Sequence, residues 1–168
     1  MLKLGFTFPQ YFNSCHVNSE VYVCGGYQDG TYFADCRKIG SEGSHEELHK
    51  MLNPKFNFPI VFWNKGRTLF TIGGNNGNLM REVSEYSVDK DTWKIHSQLP
   101  QPIKGSSAVV FNDVIYNIGG HSSGQSILWC DLNAEALWNP FEIPNYNFKN
   151  QHYRMAHPVE DKIVYFGS

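Results

Sequence analysis

A short segment of this chain has the spacing of a zinc-binding motif. The residues HEELH at 45–49 fit the pattern H-E-x-x-H, in which two histidines bind one Zn²⁺ and the first glutamate acts as the general base of a peptidase. On a helix, residues four apart share one face with Cβ atoms roughly 5–6 Å apart, so both imidazoles could reach one ion. The chemistry therefore depends on whether this segment is helical.

The local sequence is compatible with both a helix and a strand over residues 44–52. Ser44 and Glu47 form an S-x-x-E capping box, and Pro54 would end a short helix soon after it. In a strand, by contrast, His45 and His49 would lie about 13 Å apart and could not share a metal ion. Both conformations remain open at this point.

The sequence lacks the third histidine of a zinc peptidase, and a glutamate in its place could only be Glu82, Glu85 or a later residue. The extended pattern H-E-x-x-H-x-x-G-x-x-H requires glycine at position 52 and histidine at position 55, where this chain has Leu52 and Lys55. A match to the five-residue pattern alone arises easily by chance. We therefore expect no catalytic residue, no metal and no cofactor, and a zinc peptidase is the least favoured of the functions considered.

Four apolar segments repeat along the chain, and each ends on glycine. They are EVYVCGG (20–26), TLFTIGG (68–74), VIYNIGG (114–120) and KIVYFGS (162–168), and their first glycines are separated by 48, 46 and 48 residues. Their apolar side chains occupy odd and even positions alike, which is typical of a strand buried on both faces. The terminal glycines indicate positive φ angles, or a backbone approach too close for a Cβ atom.

Other strand-like runs keep the same register. Each glycine segment is preceded by an apolar run, namely FNSCHV (12–17), IVFW (60–63), SAVVF (107–111) or MAHPV (155–159). In the first three units the glycine segment is followed by another strand-like run, YFADCRKI (32–39), EVSEYSVD (82–89) or SILWCDLN (126–133). Trp93 and Trp138 mark a fourth strand. We predict a single domain over 1–168, with four-stranded units over approximately 8–52, 58–99 and 106–143, and a partial unit over 153–168.

These features resemble the kelch repeat. The match rests on the glycine pairs at 25–26, 73–74 and 119–120, on the Tyr86-x6-Trp93 spacing and on Trp138, and it covers essentially the whole chain. The first unit lacks the tryptophan, and Ser168 stands where the fourth unit should have its second glycine. The resemblance implies an all-β fold, a segment of a kelch-type β-propeller built from four-stranded antiparallel blades. The ring is incomplete in this chain, so we expect a fragment, or a ring completed by another chain or a second copy.

Composition narrows the classes of partner. Fourteen basic and sixteen acidic residues give a net charge of −2 without long runs of either sign, so we expect neither a nucleic-acid nor an anionic-membrane surface. The apolar runs are too short to span a bilayer, and the first residues do not resemble a secretory signal, which predicts a cytoplasmic protein. The four cysteines show no C-x-x-C pair, so we predict that all of them are reduced.

The kelch resemblance implies that the loops after the glycine pairs and the loops between units emerge on one face. Their polar and aromatic side chains suit hydrogen bonding at a protein interface. We predict partner contacts at Tyr27, Gln28, Asn75, Asn76, Lys104, His121, Ser122, Gln125, Tyr146, Tyr153 and Arg154.

The favoured function is that of a non-catalytic protein–protein interaction module or scaffold. One alternative is a truncated kelch-type enzyme, either an oxidase or a sugar-modifying enzyme. Galactose-oxidase-like proteins carry kelch blades around a copper site of tyrosine and histidine ligands, and that set of ligands is not visible here. The zinc peptidase is the remaining alternative.

Overall fold

The computed structural model describes residues 7–121, 127–141 and 155–166, and these residues form β-strands without helices. The first sheet contains β1 (Asn13–Val17), β2 (Glu20–Gln28), β3 (Thr31–Ile39) and β4 (His45–Leu48). The second contains β5 (Ile60–Trp63), β6 (Thr68–Ile72), β7 (Glu82–Ser87) and β8 (Thr92–Gln98). The third contains β9 (Ser107–Phe111), β10 (Val114–Ile118), β11 (Ile127–Asp131) and β12 (Asn139–Pro140). The fourth contains β13 (Met155–Val159) and β14 (Lys162–Phe166).

Neighbouring strands in every sheet are antiparallel and follow chain order. The glycine-bearing strand is second in each sheet, between the preceding apolar run and, in the first three sheets, the strand that follows it. The predicted all-β fold of four-stranded antiparallel units in an unclosed ring is therefore confirmed. No helix in the described ranges is long and apolar enough to cross a membrane.

Adjacent sheets pack face to face through equivalent positions of the repeat. Tyr22 of the first sheet belongs to a buried cluster with Leu69 and Tyr86 of the second. Phe70 of the second sheet packs in the same way with residues of the third, including Leu128. Stacking of this kind is how a propeller buries both faces of each sheet, and it explains the continuous apolar runs in the sequence.

The first glycine of each pair adopts positive φ, and Gly25 shows the steric reason. Its φ is +66°, and a Cβ at this position would lie 2.5 Å from the carbonyl oxygen of Lys55 and 2.8 Å from the ring of Phe58. The chain leaving the first sheet passes directly against β2 here. The sequence-based expectation of positive φ and close backbone approach is therefore confirmed, because both apply at the same residue.

The segment with the zinc-like spacing forms a strand. Residues His45–Leu48 are β4, the outermost strand of the first sheet, and Arg37 of β3 pairs with Glu47 in register. The capping box at Ser44 does not start a helix. The alternative of a strand is correct, and extended backbone separates residues four apart by about 13 Å, too far for His45 and His49 to share one metal ion.

The expectation for the cysteines is wrong for one pair. Cys24 on β2 and Cys36 on β3 are opposite each other in the ladder and form a disulfide. Spacing could not predict this pair, because it depends on the register of the two strands. Cys15 and Cys130 are free, and burial raises the pKa of each thiol to about 11, which keeps them protonated and unreactive near neutral pH.

Candidate partner-binding face

The antiparallel order of the strands places two sets of loops at one end of the sheets. The turns that follow the glycine strands emerge there, as do the linkers between sheets (residues 49–59 and 99–106). We call this end the loop face. The turns at 64–67, 88–91 and 112–113 lie at the opposite end. This arrangement agrees with the location that the repeat implied for the predicted contact residues.

Backbone hydrogen bonds hold the loop face together in the same way three times. The residue after each glycine pair bonds to the segment that leads into its own sheet. Tyr27 N donates to Gln10 O at 2.7 Å, Asn75 N donates to Phe56 O at 3.0 Å, and His121 N donates to Lys104 O at 2.8 Å. The last two pairs are reciprocal, since Phe56 N and Lys104 N donate back at 3.1 and 3.3 Å.

Each linker also bonds to the sheet that precedes it. Gly26 N donates to Lys55 O at 3.0 Å, and Gly74 N donates to Ile103 O at 2.8 Å. Neighbouring residues of one linker therefore bond to two different sheets. Because both bonds involve the backbone, the geometry of the loop face depends little on which side chains it displays.

Four aromatic side chains lie close together where the loop face meets the first sheet. The rings of Tyr27 and Phe56 stack at 5.2 Å between centroids, and Tyr32 lies 5.1 Å from Tyr27 and 5.8 Å from Phe56. Tyr11, which is 57% exposed, lies 6.1 Å from Phe56. We call Tyr11, Tyr27, Tyr32 and Phe56 the aromatic cluster. Partly exposed tyrosines with a rigid support are typical of protein interfaces.

The structure places six of the predicted contact residues on the loop face. Tyr27 lies in the aromatic cluster, and Gln28 is exposed beside the hairpin turn. Asn75 and Asn76 organise their own loop, because their side-chain oxygens accept hydrogen bonds from Gly77 N at 2.7 Å and from Asn78 N at 3.4 Å. Lys104 and His121 meet through their backbones, with His121 exposed.

The remaining predictions fall outside the described residues. They are Ser122, Gln125, Tyr146, Tyr153 and Arg154. These five stay predictions.

The sequence reasoning missed three members of the aromatic cluster, namely Tyr11, Tyr32 and Phe56. Tyr32 was assigned to a strand and Phe56 to a linker, so their shared location was not apparent. A usable signal was present, because Tyr27 and Tyr32 flank the Asp29-Gly30 dipeptide, which favours a two-residue hairpin turn. In the structure they are cross-strand partners. The loop after the first glycine pair is therefore a tight turn, since β2 extends to Gln28 and β3 begins at Thr31.

A buried ion pair joins the first linker to β7 of the second sheet. Lys55 is fully buried, and its Nζ lies 3.6 Å from Glu82 Oε1, too long for a hydrogen bond, and 5.3 Å from the centre of the Phe58 ring. Glu82 also accepts hydrogen bonds from Asn53 and Ser84, both at 2.5 Å. Burial lowers the pKa of Lys55 to about 8, which the charge of Glu82 offsets only in part.

The two histidines of the zinc-like motif have separate surroundings. His49 Nδ1 lies 2.7 Å from Asp91 Oδ2 on the second sheet, and His49 N donates to Asp91 Oδ1 at 3.0 Å. His45 lies at the other end of β4. In the described part of the chain, no group of three or more histidine, cysteine, aspartate or glutamate side chains is arranged to hold a metal ion.

Comparison with known proteins agrees with this repeated architecture. The chain is 30% identical over 143 residues to the Kelch repeat and BTB domain-containing protein 2 of Cowpox virus (strain Brighton Red), covering 82% of this chain and 24% of that protein. This chain belongs to the kelch-repeat family. It is also 30% identical over 114 residues to the protein of the same name from Ectromelia virus (strain Moscow), covering 66% of this chain and 20% of that protein.

A more distant kelch relative is Beta-scruin of Limulus polyphemus, which is 25% identical over 122 residues, 66% of this chain and 13% of Beta-scruin. The kelch chain thus spans a quarter or less of the length of these relatives. No protein-family model matches it.

The two repeat tryptophans of this kelch chain have the same structural role. Trp93 Nε1 donates to the carbonyl oxygen of His49 at 2.9 Å, and Trp138 Nε1 donates to Ser97 Oγ at 2.9 Å. In both cases the outer part of one kelch unit bonds to the outer part of the preceding unit. The first unit lacks this tryptophan.

Proposed function

We propose that this kelch chain is a non-catalytic protein-interaction module that binds another protein through its loop face. The observation that carries the proposal is the threefold backbone pairing of Gln10 with Tyr27, Phe56 with Asn75 and Lys104 with His121. It presents the side chains after three glycine pairs in one fixed row. A preorganised row of this kind loses less conformational entropy on binding than flexible loops would.

The chemistry of this row suits a protein partner. Tyr27 and its neighbours offer flat aromatic surface, while Gln28, Asn76 and His121 offer donors and acceptors. Such a mixture gives contact area together with directional hydrogen bonds. We place Ser122, Gln125, Tyr146, Tyr153 and Arg154 on the same binding surface as part of this proposal.

The composition of the chain supports a proposal on its cellular location and on the partners that it does not bind. We infer a cytoplasmic protein that binds neither nucleic acid nor membrane, on the basis of its weak net charge and short apolar runs. The zinc-peptidase alternative is not favoured, because residues His45–Leu48 form a strand where that chemistry needs a helix.

Site-specific photo-crosslinking in cell extract, with tandem mass spectrometry, tests the loop face. A photoreactive phenylalanine analogue is placed in turn at Gln28, Asn76 and His121, and, as matched controls at the opposite end, at Asp89 and Lys90. We expect the three loop-face positions to capture one common protein. The two controls should capture it at no more than about a tenth of that yield.

Purified partner then gives the quantitative result. Tyr27→Ala, Asn76→Ala and His121→Ala should each weaken its binding at least about fivefold, and Lys90→Ala by less than about twofold. Capture of the common protein from the Asp89 and Lys90 positions alone would overturn the assignment of the loop face. Turnover of that protein by the kelch chain would overturn the non-catalytic role.

A further inference from the structure

The hairpin of the first sheet continues past its glycine pair. In the second and third sheets the glycine strand ends directly before the pair, with β6 ending at Ile72 and β10 at Ile118. In the first sheet, β2 runs through the glycine pair to Gln28, and β3 begins at Thr31. We call residues 25–35 the projecting hairpin, since they extend beyond the level at which β6 and β10 end.

The projecting hairpin carries two rings of the aromatic cluster. Tyr27 and Tyr32 are cross-strand partners, and the ring of Tyr27 stacks on Phe56 of the first linker. Residues 28–31 at the tip are exposed. A segment with an exposed tip and few buried contacts opens more easily than the core of a sheet. The position of both tyrosines therefore depends on what holds the base of the hairpin.

The disulfide between Cys24 and Cys36 lies at that base. These residues are paired in register, and the ladder shifts its register between Cys24 and Gly26, where the hairpin begins. Beyond the disulfide, backbone bonds such as Gly26 N to Lys55 O at 3.0 Å join the hairpin to the first linker. A cross-link that closes the hairpin removes many of its open conformations.

The second sheet shows that this position does not require a disulfide. Cys24 and Cys36 are equivalent to Ile72 and Val83, which are paired in register directly before the first glycine of their sheet. All four side chains are buried. Apolar packing and the strand ladder hold the second pair, and two cysteine thiols pack as small apolar groups. The sheet can therefore remain folded in both oxidation states of the cysteines.

We propose that Cys24 and Cys36 form a redox-sensitive switch that controls the order of the projecting hairpin. In the oxidised chain, the disulfide holds the hairpin closed and keeps Tyr27 stacked on Phe56. In the reduced chain, the sheet persists while the hairpin opens more often. This switch belongs to the chain itself and does not depend on the function proposed for the loop face.

Glutathione is a reductant of suitable chemistry for this switch. The thiolate of one glutathione attacks a sulfur atom of the disulfide, so that the S–S bond breaks and a mixed disulfide forms. A second glutathione displaces the protein thiol from it. The products are two cysteine thiols and one glutathione disulfide, so two electrons and two protons pass to the protein. Because Cys24 and Cys36 are buried, the exchange takes place when the hairpin opens.

Hydrogen exchange with mass spectrometry compares the oxidised chain with the chain reduced by dithiothreitol. After reduction, the residue 26–33 amides should exchange at least about tenfold faster, and those of residues 68–72 and 114–118 should change less than about twofold. Unchanged exchange at 26–33 would overturn the proposal. An equal acceleration in all three segments would also overturn it, because reduction would then loosen the sheets as a whole.

Two variants assign the response to the disulfide. Cys36→Ala removes the cross-link, so its residue 26–33 amides should exchange like those of the reduced natural chain, with or without dithiothreitol. Cys130→Ala removes a buried cysteine that is free, and it should keep the full response. Loss of the response in Cys130→Ala, or its persistence in Cys36→Ala, would contradict the assignment. The comparison of oxidised and reduced natural chain stands without either variant.

Glutathione buffers test whether the disulfide is switchable. Oxidised and reduced chains are each equilibrated in mixtures of glutathione and its disulfide, free thiols are alkylated, and the mass gives the oxidised fraction. From either start, the chain should be mostly reduced in about 10 mM glutathione and mostly oxidised where glutathione disulfide predominates, because reduction costs only the order of an exposed hairpin. A chain that remains oxidised in about 10 mM glutathione, and reoxidises there, would hold a structural disulfide and overturn the switch.

Discussion

The imidazole of His49 lies 2.7 Å from the carboxylate of Asp91, and this contact joins the first sheet to the second. Asp91 also accepts hydrogen bonds from His49 N and from the hydroxyl of Tyr86, at 3.0 and 2.7 Å. Burial raises the pKa of Asp91, but the hydrogen bonds from Tyr86 and His49 outweigh it, so the pKa lies below its usual value. The histidine that suggested a zinc ligand thus has a structural partner.

Substitutions at this contact should differ in their effect on stability. Asp91→Asn should destabilise the chain by about 1–2 kcal/mol, because the buried Tyr86 hydroxyl loses its charged acceptor. His49→Ala should cost under about 1 kcal/mol, since the imidazole is largely exposed. Asparagine is used at 91 because φ is +48° there. Urea denaturation measures both, and a larger loss for His49→Ala would contradict this account.

Two glycine substitutions separate close contact from backbone conformation. Gly25→Ala and Gly30→Ala both place alanine at positive φ, but only Gly25 has neighbours where the Cβ would lie. We expect a loss of about 1 kcal/mol for Gly30→Ala and at least about 3 kcal/mol for Gly25→Ala. Thermal unfolding followed by circular dichroism compares them. Equal losses would mean that φ alone determines the need for glycine.

The Lys55–Glu82 pair should show strong coupling in a double-mutant cycle. Lys55→Met should destabilise the chain by about 2–4 kcal/mol at neutral pH, because it leaves the nearly buried Glu82 carboxylate without its cation. Adding Glu82→Gln should recover at least half of that loss. Chemical denaturation of the four proteins in the cycle gives the coupling. Additive losses would show that the two side chains do not interact appreciably.

The lowered pKa of Lys55 predicts that the stability of the chain rises with pH. Its pKa falls from 10.5 to about 8 on folding, so the unfolded chain binds more protons between these values and stability increases as the pH rises through that window. Relative to Lys55→Met, the natural chain should gain about 2 kcal/mol between about pH 7.5 and pH 9.5. Below about pH 7, Lys55 should contribute no pH dependence. Denaturation curves across this range measure the difference, and parallel pH profiles would contradict the prediction.

The sequence by itself determined the repeating architecture of this protein. The glycine spacing and the apolar runs predicted all-β units, because a strand buried on both faces and closed by glycine leaves a recognisable local pattern. The kelch resemblance that this pattern carries also implied one end of the sheets for the loops that hold Tyr27, Asn75 and His121, and the antiparallel strand order places these loops there.

Only the tertiary structure decided which distant side chains meet. The Cys24–Cys36 disulfide depends on strand register, and the contact of His49 with Asp91 depends on how two sheets pack. The stacking of Phe56 on Tyr27 joins a linker to a hairpin in the same way. Local periodicity carries no information on such contacts, because they follow from the relative placement of whole sheets. For the same reason, the sequence left residues 44–52 open between helix and strand until the β3 ladder was known.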